Sequence, residues 1–249
     1  MEALKSLEML GGLDQPELNL TRIENFINAH RNPDGGFWDE EYTEDGMTST
    51  MKCTSKAINA LGIINGHQGK NFESSYIINV ASFVDSSLSS VDGGYSDKPG
   101  EKASEIYGTY NAFNALWWLG GNNETEKLDF VEGKMSLEKI TDYIIKKYQR
   151  SGTGAFAGYI HEIDGNVSLH GTYAAVRFFE NSGQTKALER LPILHFIMDQ
   201  KAGPGQYGRD MYSTYAAVEI FTMLDCPTLP MDLPEKEKII TSAIQKYYP

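Results

Sequence analysis

Four similar segments of the chain each carry a reactive side chain at the same position. Two residues before the threonine of each segment stand Lys52, Tyr107, His170 and Tyr212. An imidazole exchanges protons near neutral pH, and phenols stabilise cations through their ring faces or hydrogen-bond through their hydroxyls. Because the residue differs between copies, the pattern indicates a site rather than repeated packing. We predict catalysis at Tyr107, His170 and Tyr212, and ligand binding at Lys52.

One helical turn further on, the same residue recurs in three of the segments. These recurring residues are Tyr110, Tyr173 and Tyr215. Their rings or hydroxyls are suited to binding a ligand beside the first set of positions. Because the identical residue returns in each copy, packing between neighbouring helices is the alternative interpretation.

Three charged or titratable residues flank the first set of positions. Glu105 and Asp210 each stand at a predicted helix start. A carboxylate there either serves as a general acid or complements the helix dipole, which is worth roughly 0.3–1 kcal/mol. The second role is the simpler one. His161, in the loop before His170, is a candidate ligand contact.

An acidic stretch follows the first glycine-rich turn and offers oxygen ligands for magnesium. A solvated surface loop is the simpler interpretation of such a run of charge. The acidic residues are Asp39, Glu40, Glu41, Glu44 and Asp45.

The elements that position these residues repeat along the chain. Glycine-rich turns ending in an aromatic residue occupy residues 32–37, 91–95, 152–156 and 203–207. Before the turns, apolar residues follow one helix face; after them, small and apolar residues cover almost the whole helix. One-sided outer helices therefore alternate with buried inner helices.

This alternation predicts an all-α fold with an inner and an outer layer. With a leading helix at Leu4–Leu10 and a trailing one at Glu235–Tyr247, the count is about five helix pairs in a single domain, 1–249. An open solenoid is the alternative, but its repeats need no such turn and its helices have similar polarity. A closed α/α toroid fits better.

The turn and helix motifs together resemble those of a known superfamily. Asp-Gly-Gly-aromatic turns precede helices that carry Gly-Thr-Tyr-x-Ala, as in residues 92–95 and 108–112. Between Leu20 and Leu224 the chain resembles the prenyltransferase and terpene-cyclase (squalene cyclase-like) α/α toroids, and protein prenyltransferase β subunits most closely in motif. The resemblance implies a central cavity at the starts of the inner helices and an isoprenoid ligand.

The residues that serve chemistry in that superfamily are changed here. The zinc ligands Asp, Cys and His of protein prenyltransferases correspond to His170, Thr172 and Tyr212, and a lone His does not hold zinc. Zinc held by His161 with His170 is a disfavoured alternative. No cofactor is therefore predicted.

The diphosphate clamp and the acid motif of the superfamily are also missing. Residues 163–169, which match the clamp, contain no Lys or Arg, so Lys52 and Tyr173 are the remaining candidates for contacting phosphate. No Asp-x-Asp-Asp run of the terpene cyclases occurs. Any chemistry is expected to be independent of zinc and of an Asp-rich acid.

Composition narrows the class of partner. The 249 residues include 22 basic and 34 acidic side chains, a formal net charge of −12, which opposes binding to nucleic acid. No apolar stretch approaches the ~20 residues of a membrane span. We expect a cytoplasmic protein that binds an isoprenoid or similar apolar small molecule, with a protein partner subunit as a further candidate. The alternative is a non-catalytic toroid that binds a peptide, a lipid tail or a partner protein.

Overall fold

A computed structural model describes residues 4, 7–8, 11–15, 18–38, 47–101, 104–121, 123–150, 154–156 and 167–224. The chain divides into two compact units, Met1–Lys147 and Tyr148–Pro249. Apart from one short hairpin, the regular elements of the described residues are helices, which confirms the predicted all-α class.

The first unit contains the predicted alternation of outer and inner helices. Its helices are α1 (Leu20–Ala29), α2 (Met51–His67), α3 (Ser74–Ser86), α4 (Ile106–Leu119), α5 (Glu124–Glu132) and α6 (Leu137–Tyr148), the last residue of which belongs to the second unit. Helix α1 has no fully buried residue, whereas α2 and α4 are buried over most of their length and pack against each other. Helices α2 and α4 are therefore the inner helices of this unit.

The second unit has the same plan. Its elements are α7 (Leu169–Asn181), α8 (Arg190–Asp199), an antiparallel hairpin of β1 (Lys201–Gly203) and β2 (Gln206–Tyr207), and α9 (Met211–Met223). The inner helices α7 and α9 pack against each other. The hairpin occupies the last of the four glycine-rich turns, directly before α9.

One hydrogen bond explains why the turns and the inner helices share a sequence motif. In each copy, the backbone N–H of the buried aromatic residue that ends the turn donates to the hydroxyl of the threonine near the start of the inner helix. The four bonds are Phe37 to Thr54 (3.0 Å), Tyr95 to Thr109 (2.9 Å), Phe156 to Thr172 (3.1 Å) and Tyr207 to Thr214 (3.1 Å). A buried N–H needs such a partner, so the threonine recurs while its neighbours vary.

Two features of the helices were not evident from the pattern. Helix α5 was not predicted because few of its residues are apolar; the Asn123 side chain caps it by accepting from the N–H of Glu126. The predicted leading helix is described only at Leu4, Leu7 and Glu8, and the predicted trailing helix lies outside the described residues.

Candidate functional site

The second unit brings two of the predicted catalytic residues together. His170 is the second residue of α7, and Tyr212 is the second residue of α9. Because these helices pack in the register of the repeat, the two rings lie edge to face with their centres 4.6 Å apart. Their imidazole and phenol groups therefore belong to one surface.

A serine that the sequence analysis missed joins His170 to Asp210. The hydroxyl of Ser213 lies 3.2 Å from Nε2 of His170, and its backbone N–H donates to Oδ1 of Asp210 at 2.6 Å. Two of the aligned copies have glycine at this position, Gly108 and Gly171, and the remaining copy has Cys53. That change from glycine to serine is the signal by which sequence could have found it.

Asp210 is the N-cap of α9. The hydrogen bond from the backbone N–H of Ser213, together with the nearby charge of His170, holds the pKa of the Asp210 carboxyl below its usual value. The carboxyl is therefore ionised at neutral pH. This is the opposite of the shift that a general acid requires.

The predicted tyrosines continue the surface that begins at His170. The ring of Tyr212 stacks on Tyr215 at 6.2 Å, and Tyr215 meets the edge of Tyr173 at 5.9 Å. Tyr212 is 53% exposed, whereas Tyr173 is only 9% exposed. We call His170, Tyr212, Tyr215 and Tyr173 the aromatic wall; it leads from an exposed, polar end to a buried, apolar end.

The first unit holds the other predicted site residues on its own inner helices. Lys52 and Tyr107 are the second residues of α2 and α4, and Tyr110 follows one turn later; all three are half-buried. The backbone N–H of Lys52 donates to Oδ1 of Asp97 at 2.9 Å. Glu105 is the N-cap of α4, but its side chain makes no capping hydrogen bond.

The remaining sequence predictions concern His161 as a ligand contact and the possible metal ligands. His161 and the acidic stretch 39–45 lie outside the described residues. Thr172, at the position that resembles a zinc cysteine, is fully buried, and its hydroxyl is bonded to the backbone of Phe156. Within the described ranges, no three His, Cys, Asp or Glu side chains come together as metal ligands would.

Comparison with known proteins identifies the fold. The prenyltransferase alpha-alpha toroid domain matches residues 3–165 and 136–247. Protein geranylgeranyltransferase-I from Candida albicans, solved in complex with GGPP, matches with a TM-score of 0.64 and 17% sequence identity over 89% of this chain. The match covers 65% of that chain, so this protein spans less than two thirds of its length.

Two negative findings accompany these matches. No curated protein matches the sequence significantly. Of the helices in the described residues, none is long and apolar enough to cross a membrane. The domain match extends over nearly the whole sequence and agrees with the structural similarity, which confirms the predicted fold. The chain belongs to the prenyltransferase alpha-alpha toroid domain family.

Proposed function

We propose that this protein binds an isoprenoid or a similar apolar ligand along the aromatic wall. The observation that carries the proposal is the contiguity of its four rings, at 4.6, 6.2 and 5.9 Å. Such a surface suits an extended hydrocarbon chain, because aromatic side chains supply large apolar contact areas. Family membership supports the proposal, as does the structurally similar protein from Candida albicans, which is complexed with GGPP.

The chemistry at the exposed end of the wall would be proton transfer or cation stabilisation. His170 is within hydrogen-bonding distance of Ser213, and imidazole side chains in general serve as proton donors or acceptors in catalysis. The ring faces of Tyr212 and Tyr215 would stabilise a developing positive charge by roughly 0.5–2 kcal/mol each. Neither role uses zinc or an Asp-rich acid.

One observation favours the alternative, a toroid that binds without catalysis. An acid catalyst needs a group whose pKa lies near the working pH, yet the pKa of Asp210 is lowered. A binding protein needs only shape and satisfied hydrogen bonds. Its ligand would then be a peptide, a lipid tail or a partner protein. A cytoplasmic location and a possible partner subunit belong to both forms of the proposal.

Native mass spectrometry tests the proposal directly. The purified protein is measured alone and with farnesol, geranylgeraniol and their diphosphates, together with its metal content. We expect the wild-type protein to retain an isoprenoid, seen as an added mass. The affinity for this ligand should be at least tenfold weaker in the double variant Tyr212→Ala/Tyr215→Ala. The matched control is Phe26→Leu, an exposed aromatic residue on α1, which should leave binding unchanged.

The same samples separate an enzyme from a binding protein. Product analysis after incubation should show a modified isoprenoid that is lost in His170→Gln if the site is catalytic. Recovery of the unmodified ligand from wild-type protein would favour the binding alternative. If none of the four isoprenoids binds, the proposed function is wrong.

A further inference from the structure

The polar end of the aromatic wall is rich in hydrogen-bond acceptors. Asp210 is ionised, its side chain is exposed, and it lies beside the pair formed by Ser213 and His170. We propose, as a refinement that rests on the proposed function, that the ligand carries an uncharged hydroxyl head group here rather than a diphosphate. Asp210 is the residue that determines this specificity.

The starts of both inner helices are already capped by their own side chains. The N–H of Ser213 donates to Asp210, and the N–H of Gly171 donates to the hydroxyl of Ser168 at 2.9 Å. Free N–H groups at a helix start are what an anion would otherwise bind. Each cap occupies one of these groups, and the cap on α9 adds a negative charge.

A diphosphate bound at this end of the aromatic wall would therefore be repelled by the carboxylate of Asp210, although it needs hydrogen-bond donors there. Phosphate recognition relies on several cationic or N–H donors, and the carboxylate of Asp210 is neither. Unit charges about 4 Å apart in water repel strongly enough to change a binding constant roughly fivefold, and a diphosphate carries more than one charge. The expected penalty is about tenfold or more.

A hydroxyl head group matches the same cluster. A serine hydroxyl has one hydrogen to donate and two lone pairs, so Ser213 can serve His170 and a ligand at once. The carboxylate of Asp210 can accept the hydrogen of a ligand O–H. The hydrocarbon chain would then run from Tyr212 towards the more buried Tyr173.

Arg209 is a cation close to Asp210 that could itself attract a phosphate, so the experiment needs a control variant at this residue. It precedes Asp210 in sequence and is exposed. If Arg209 recruits a phosphate, Arg209→Gln will weaken diphosphate binding selectively. The proposal instead expects Arg209→Gln to leave the ratio of alcohol to diphosphate affinity within about twofold of wild type.

The test is the ratio of affinities for farnesol and farnesyl diphosphate, measured at pH 8. Wild-type protein should bind farnesol at least tenfold more tightly. Asp210→Asn removes the charge while asparagine remains an equally good N-cap, so the helix is kept and the ratio should fall about tenfold. Ser213→Ala should weaken farnesol binding more than diphosphate binding.

The outcomes distinguish the two proposals. Tighter binding of the diphosphate by wild-type protein, or an unchanged ratio in Asp210→Asn, would overturn the head-group assignment and leave isoprenoid binding intact. Failure of both ligands to bind would overturn the proposed function and this inference with it. Circular dichroism of each variant confirms that the helices are retained.

Discussion

The ion pair between Lys147 and Asp92 makes a sharp prediction about stability. It joins the last turn of α6 to the Asp-Gly-Gly-Tyr turn of the first unit, residues that are 55 positions apart. Ser104 also donates to the carboxylate of Asp92, at 2.7 Å. The side chains of Lys147 and Asp92 are only 28% and 23% exposed.

We expect Lys147→Met to destabilise the protein measurably. Methionine keeps most of the aliphatic length but removes the ammonium group, so the carboxylate of Asp92 loses its charged partner in a half-buried place. Hydrogen bonds to charged groups contribute about 1.5–3 kcal/mol. Because part of each side chain remains in water, the expected loss lies towards the lower end of that range.

The adjacent residue provides a matched control. Lys146 pairs with Asp142 at 2.8 Å on the same helix, but the two side chains are 77% and 60% exposed. An exposed pair of this kind contributes about 0.3–0.5 kcal/mol. Lys146→Met repeats the same substitution one residue away, so it is the control for removing an ammonium group from an exposed pair on the same helix.

The effect of Lys147→Met should also depend on pH. Burial alone would raise the pKa of Asp92, but hydrogen bonds from Lys147, Ser104 and Ser89 outweigh it, and the pKa lies below its usual value. Because the pKa of Asp92 is lower in the folded state, its ionised form stabilises the fold. This stabilisation is fully present above the pKa of an aspartate in the unfolded chain, about 3.9, and it is lost as the pH falls through the pKa of Asp92 in the folded protein. The contribution of the ion pair should therefore be constant from pH 5 to 7 and shrink towards pH 3.

Urea unfolding of both variants, followed by circular dichroism at several pH values, measures these quantities. Equal losses for Lys147→Met and Lys146→Met would refute the reasoning from burial. A loss in Lys147→Met that stays the same down to pH 3 would refute the assignment to ionised Asp92.

Three further predictions concern side-chain contacts made by the inner helices, each checked by the urea midpoint. Gly62→Ala should cost about 1–3 kcal/mol by overpacking, because the new Cβ would lie 2.5 Å from Cε3 of Trp118; it should also alter the near-ultraviolet circular dichroism. Thr172→Val should cost about 1–3 kcal/mol by leaving the buried N–H of Phe156 unpaired, and Thr172→Ser should restore most of it. Lys127→Met should cost about 0.5–2 kcal/mol and change tryptophan fluorescence, because the ammonium lies 4.1 Å from the Trp118 ring centre. Unchanged midpoints would contradict each of these three.

The helices and their order could be predicted because the information is local. Apolar spacing along α6 and the small and apolar residues of α9 are visible within a dozen residues. The glycine-rich turns and the threonine that follows each of them occur four times, so the helix predicted after one turn is supported by the same pattern in the other copies. Helix α5 escaped prediction because it packs little apolar surface and relies on its cap at Asn123.

The site was only partly visible from the sequence. The repeat register correctly placed His170 and Tyr212 at equivalent positions, and the packing of α7 on α9 makes them neighbours. Ser213 went unnoticed because its partner, His170, is 43 residues away. The catalytic and binding roles of all the predicted site residues, His170 and Tyr212 included, stay predictions.

By itself, the sequence determined the helical class, the alternation of inner and outer helices, and the family whose motifs the turns carry. All three properties depend on the spacing of residues within one segment and on the repetition of that spacing along the chain. Local backbone geometry and hydrophobic periodicity are enough to determine them. Only the tertiary structure decided that Ser213 links Asp210 to His170 of the neighbouring helix, and that four rings form one wall. Protonation and contact depend on which groups packing brings within a few ångströms, and packing joins residues that the sequence keeps far apart.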